Sequence, residues 1–153
     1  MTSNTRTYVL TLLFCIAFLP ACSSMAPQKE ASLYERLGGK SAIAMVVNDF
    51  VDTVGADSRI TNEKVAARLE ETSIPVLKML ITDQVCMATG GPCVYTGRDM
   101  VESHKGLEIT NQEFDWVVDD LVKTLDKYKV PEREKNELID LLAPMRSDIV
   151  QAM

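Results

Sequence analysis

The spacing of apolar residues in KSAIAMVVNDFVDTVGAD, residues 40–57, constrains the fold more than any other feature. Ile43, Val46, Val47, Phe50, Val51 and Val54 recur at steps of three and four. That spacing collects them on one face of an amphipathic helix. A half-buried strand needs sustained alternation with period two, and no stretch after Ser32 supplies it. The chain reads as all-α, with no strands and no internal repeat.

Punctuation divides the remaining helices. In SLYERLGG, Ser32 and Glu35 stand at capping-box spacing and Gly38-Gly39 follow as a stop. Gly55 ends the long helix that comes next. SRITNEKVAARLEETS, residues 58–73, is polar and irregular, with room for one or two helical turns. In SIPVLKMLITDQVCMATGG, Ser73 is placed to cap, Pro75 suits a first turn and Gly90 stops the helix. Its apolar stripe is Leu77, Leu80, Ile81, Val85 and Ala88. PCVYTG is a loop, and RDMVESHKG is a short helix with His104 near its end. Thr110 and Glu113 form a second capping box. The helix they open carries Phe114, Val117, Leu121 and Leu125 on one face. Pro131 starts the last helix, in which Leu138, Leu141, Leu142, Met145 and Ile149 are expected to point inward. Pro144 is a candidate kink in that helix.

A length of 153 residues allows one domain with a proper core. A net charge of −6, with no dense Lys/Arg run, argues against nucleic acid as a partner, because attraction to phosphates supplies most of that affinity.

The N-terminus reads as a targeting segment. Arg6 precedes an apolar run from Tyr8 to Leu19, too short for a comfortable membrane span. The run ends in LPAC, which resembles the bacterial lipoprotein signal, although Pro20 departs from the usual box. On that resemblance residues 1–21 are removed, Cys22 is lipidated, and residues 22–31 form a polar tether to a domain over 32–153. An ordinary cleaved signal peptide and an uncleaved anchor are the alternatives. Ser23, where an aspartate would favour inner-membrane retention, points to an exported, periplasm-facing protein anchored in the outer membrane.

Export changes the meaning of the cysteines. Cys15 leaves with the signal, so Cys86 and Cys93 remain as an even pair in an oxidising compartment. That suggests a disulfide, with Gly90 and Gly91 letting the chain turn back. Two unpaired thiols are the alternative. One histidine and no further cysteine leave no ligand set for structural zinc.

His104 is the only histidine. A triad needs a free nucleophile beside it, and the candidate thiols are expected to be bridged. One histidine is a weak metal site by itself, but it suffices when a porphyrin supplies four nitrogens. Met100, Leu107, Ile109, Phe114 and Val117 lie close enough in sequence to wall a flat apolar ring. The plainer alternative is a partly buried histidine packed at a helix end.

LYERLGG, DFV, ATGGPCVYTGRDMVESHKGLEIT and VPEREKNELIDLLAPMRSDIV together resemble the group 1 truncated haemoglobins, most closely lipoprotein-like bacterial members with a GGPC-YTG loop. The resemblance spans about residues 32–150. It implies a shortened globin, two helices over two, enclosing haem b, with His104 as the proximal iron ligand. It also implies that a diatomic gas (oxygen, nitric oxide or carbon monoxide) binds on the opposite face, and that a reductase, not identifiable from the sequence, serves the iron.

The chain departs from the family on that opposite face. Val51 stands where the family places a tyrosine after DF. Leu77 and Ile81 take the distal-helix positions, and Val85 lies one turn on. Leu69 is the nearest match to the usual haem-wedging phenylalanine, after a segment a few residues longer than usual. Gln84 is the polar candidate, one helix rotation away from the ligand. Lys78 and Met79 are conceivable sixth ligands, but their spacing points off the pocket face. An apolar pocket favours gas binding over the rival haem enzymes, whether nitric oxide dioxygenase or peroxidase-like, since both need polar assistance to bound oxygen or to an O–O bond. A haem-free helical interaction module is the third reading.

Overall fold

Two reciprocal capping boxes fix the helix starts that the sequence marks most clearly. The Ser32 amide donates to Glu35 Oε2 at 2.8 Å while the Glu35 amide donates to Ser32 Oγ at 3.2 Å. Thr110 and Glu113 repeat the arrangement at 2.8 and 3.1 Å. The computed structural model describes residues 30–152. The expected leader, the lipidation at Cys22 and the tether up to residue 29 lie outside the described residues.

The helices are α1 (Leu33–Arg36), α2 (Gly39–Ala56), α3 (Glu63–Glu70), α4 (Ile74–Ala88), α5 (Met100–His104), α6 (Asn111–Lys127), α7 (Glu132–Leu142) and α8 (Arg146–Ile149). Between α1 and α2 the chain turns at Gly38, where φ is +89°. A side chain there would be strained in that conformation and would meet Ala42 Cβ at 3.0 Å. The stop expected at Gly55 is overrun, since α2 continues to Ala56.

The polar stretch read as irregular contains a full two-turn helix, α3. Its start is fixed by Asn62, whose Oδ1 accepts the amides of Lys64 and Val65 at 3.0 and 3.3 Å. Ser73 precedes α4 as expected, but its hydroxyl makes no capping hydrogen bond. Pro75 stands in the first turn, where its missing N–H has no helical partner to lose. Pro144 breaks the last helix: α7 stops at Leu142, a 3-10 turn spans Ala143–Met145, and α8 resumes at Arg146. Leu141, expected inward, is exposed. Leu138 and Leu142, four residues apart, take the inward face and leave Leu141 to one side of it.

α2 packs on α4 and α6, and α6 packs on α7 and α8, giving two layers of paired helices. The core has two buried clusters. Leu33, Leu125 and Leu138 form one; Ile43, Val47 and Cys86 form the other; Leu37 and Val85 pack against both. Burying each such leucine contributes about 1.5–3 kcal/mol. α5 adds no buried residue to either cluster. The C-terminus is tied back where Gln151 and Ala152 donate to the Ile109 carbonyl at 2.9 and 3.1 Å. This leaves one isolated bridge between Thr110 and Ala152, and no strand forms among the described residues.

Candidate functional site

His104 is the last residue of α5, a helix started by Asp99, whose Oδ1 accepts the Glu102 amide at 2.8 Å. The imidazole is half-buried. Its Nδ1 lies 2.8 Å from the Met100 carbonyl oxygen. A carbonyl only accepts, so Nδ1 is the donor in this bond, and Nε2 is the ring nitrogen left to face a metal. A metal-ligating histidine is usually prepared in this way.

Nine of the other expected pocket residues come from six parts of the chain: Val51 on α2, Leu69 on α3, Leu77, Ile81 and Val85 on α4, Met100 on α5, Ile109 in the loop, and Phe114 and Val117 on α6. All nine are half-buried. None of the nine belongs to the buried core, and none is among the exposed large hydrophobics; Leu107, also expected in the wall, is buried in the core instead. Nine apolar side chains that the protein covers only in part are what a flat apolar group would complete, so the residues present fit a haem. Val51, Ile81 and Val85 are brought together against the Ile43–Val47–Cys86 cluster. Phe114 has the Arg146 guanidinium over its ring at 4.2 Å.

The Gln84 amide is engaged. Its Nε2 is 3.4 Å from Met100 Sδ and 3.7 Å from Met145 Sδ. It therefore points toward α5 and the C-terminal turn. Lys78 Nζ pairs with Asp52 at 2.6 Å, and Met79 is exposed. Both line a surface hollow of about 420 Å³ with Lys40, Ala44 and Pro75, a hollow to which neither His104 nor any of the nine apolar residues contributes.

The Cys86 and Cys93 sulfurs are 1.97 Å apart, with Cα atoms at 5.8 Å. Cys86 is fully buried. The turn between them needs glycine at position 91: a Cβ there would stand 2.7 Å from Cys86 Sγ and 2.8 Å from its carbonyl. The bridge thus joins the end of α4 to the loop that leads to α5.

Charges gather beside the site rather than in it. Arg59 bonds Asp57, Asp119 and the buried Asp120, at 3.2 Å and 3.1 Å for the last two, and lies 5.7 Å from the Trp116 ring centre. Asp57 is pushed down to about 2, first by its side-chain hydrogen bond from Arg59 and then by the Arg59 amide. Burial works against the Glu113 charge, but hydrogen bonds from Thr110 and Asn62 hold its carboxyl below the ordinary value. Sequence reasoning missed Arg68 and Asn62, whose side chains reach the main chain around His104, and Met145 as a partner of Gln84. The cap at Asn62 was the available signal.

The bacterial-like globin family model matches residues 32–151. The group 1 truncated hemoglobin of Tetrahymena pyriformis is 31% identical over 122 residues, covering 80% of this chain and 97% of the relative. That of Mycolicibacterium paratuberculosis is 33% identical over 119 residues, covering 78% and 84%. The solved Fe(III) form of the Tetrahymena pyriformis protein superposes with a TM-score of 0.70 at 31% identity, over 78% of this chain and 98% of that one. The 2/2 hemoglobin from Synechococcus sp. PCC 7002, in the cyanomet state with covalently attached heme, gives 0.69 at 30% identity over the same shares. Helix order, the half-buried apolar wall and these similarities agree: the chain belongs to the bacterial-like globins, among the group 1 truncated haemoglobins.

Proposed function

We infer that this chain holds haem b through His104 Nε2, binds a small diatomic gas on the opposite side, and works from a lipid anchor outside the cytoplasm. One observation carries the reading: the His104 imidazole is fixed through Nδ1 to the Met100 carbonyl at 2.8 Å, in a chain whose nine expected pocket residues are all half-buried. Haem iron supplies reversible ligation of a small neutral gas. The protein's part is to present one imidazole in a fixed tautomer, to exclude water with apolar side chains, and to set how firmly the gas is retained.

Retention is where this chain differs from relatives with a distal tyrosine. Val51, Leu77, Ile81 and Val85 offer no hydrogen-bond donor, and the Gln84 amide is committed to two thioethers. Oxygen held at such a haem would depend on a hydrogen-bond donor for its retention, and these four side chains would supply none. Carbon monoxide depends less on that bond. The same lack argues against dioxygenase or peroxidase chemistry. The anchor rests on the LPAC sequence after a short apolar run. An exported reductase is the partner the redox state of the iron would require, and the acidic surface favours a basic one.

The test is a haem titration of the purified protein followed at the Soret band, beside His104→Ala and His104→Gly. We expect one haem per chain in the wild type, loss or alteration of the band in both variants, and recovery of the glycine variant by added imidazole. Equal binding and identical spectra in all three would rule out His104 as the ligand.

A further inference from the structure

α3 is the element that the sequence disclosed least. It buries no residue, so core packing does not explain why it forms. Its side chains instead converge on the main chain around His104. Arg68 Nη1 donates to the Ser103 carbonyl at 3.2 Å, and Nη2 reaches the Lys105 carbonyl at 3.5 Å. These carbonyls flank His104 on either side. Asn62 Nδ2 donates to the Leu107 carbonyl at 3.0 Å. Lys64 pairs with Glu108. Three side chains of one short segment thus hold residues 103–108.

The chemistry of α5 explains the need. A five-residue helix leaves its last carbonyls without helical partners, and the partial negative charge at its end favours a cation. The imidazole of His104 is turned back to the carbonyl of Met100 within the same helix. Arg68 brings a permanent positive charge to the helix end, with a planar fork of donors that Lys cannot reproduce. α5 has no buried residue of its own; it packs on α8, and the Arg68 fork adds a hold on the main chain at its end.

We propose that α3 is a brace for the proximal ligand, with Arg68 as a positioning residue that fixes the orientation of His104 through the carbonyls on both sides of it. The proposal rests on the reading of His104 as the haem ligand.

The experiment compares wild type, Arg68→Met and Arg68→Lys. The methionine keeps an apolar stem and removes every donor; the lysine restores one charged donor. Amide hydrogen exchange at Ser103 and Leu107 is read on the haem-free protein. The iron–histidine stretching frequency and the rate of haem transfer to an acceptor globin are read on the loaded protein. Expected for Arg68→Met are exchange and haem loss about tenfold faster and a shifted stretching frequency, with the urea midpoint little changed and partial recovery in Arg68→Lys. Unchanged exchange, frequency and haem loss would overturn the brace. So would a loss of protection spread evenly over all helices, which marks a merely structural role. Arg68→Gln decides by the same measures if the methionine variant does not fold. A wild type that takes no haem defeats the functional reading, while the exchange measurement still judges the brace.

Discussion

The Gln84 side-chain amide lies 3.4 Å from the Met100 thioether, and the main-chain oxygen of Met100 lies 2.8 Å from His104 Nδ1. One methionine therefore stands between the helix that covers one side of the site and the imidazole on the other. Thioether sulfur is a weak acceptor, so this contact orients the amide more than it holds the helices together.

The first prediction concerns that amide. Because it is turned toward Met100 and Met145, Gln84→Ala is expected to leave the oxygen dissociation rate of the ferrous protein unchanged by stopped-flow measurement. A marked acceleration would mean that Gln84 turns to the bound gas.

Val51, which the resemblance sets at the position of the family tyrosine, packs against the Ile43–Val47–Cys86 cluster. Val51→Tyr supplies the missing donor, and a gained hydrogen bond of about 1–3 kcal/mol corresponds to oxygen leaving roughly ten- to a hundredfold more slowly. Carbon monoxide dissociation is expected to change less. Equal changes for both gases would point to a steric effect and count against the apolar-pocket explanation.

Closing the short loop between Cys86 and Cys93 (sequence separation 7) restricts the unfolded chain. On the chain-entropy model this contributes about 2–3 kcal/mol. Urea unfolding with and without reductant checks it: the midpoint is expected to fall on reduction, and Cys93→Ser is expected to show the lower midpoint in either condition. A midpoint indifferent to reductant would sink the idea.

Asp57 is held at about 2, mainly by its hydrogen bond from the Arg59 side chain, against an ordinary value of 3.8. Its folded value is depressed, so its contribution is complete above the ordinary value and disappears as pH falls through the folded one. Wild type is expected to be more stable than Asp57→Asn by a constant margin from pH 7 down to about 5, with the margin shrinking from about pH 4 toward pH 2. A margin that is the same at pH 6 and at about pH 2.5 would contradict this account of the Arg59 cluster.

The long helices were legible because their sequences carry an apolar spacing, a start signal or both. α2 and α6 show this best, with the Ile43–Val47 face of one and the Thr110–Glu113 box of the other. α3 was not legible, because its cap at Asn62 is followed by only a short apolar pair, Val65 and Leu69, both half-buried; its side-chain hydrogen bonds run to main-chain carbonyls of residues 103–107. Leu141 was misplaced because a run of leucines does not say which three-or-four step the helix face will take. His104 stood out as the single imidazole. Arg68 did not, since its partners are main-chain carbonyls, which leave no mark in the sequence.

The central claim is tested most directly by the visible spectrum of the haem-loaded protein, reduced with dithionite, before and after carbon monoxide, beside His104→Ala. The account predicts a five-coordinate reduced form whose Soret band shifts sharply with carbon monoxide, and a variant in which the band is lost or altered. A protein that takes up no haem, or a reduced form already six-coordinate through an internal ligand such as Lys78 or Met79, would contradict it.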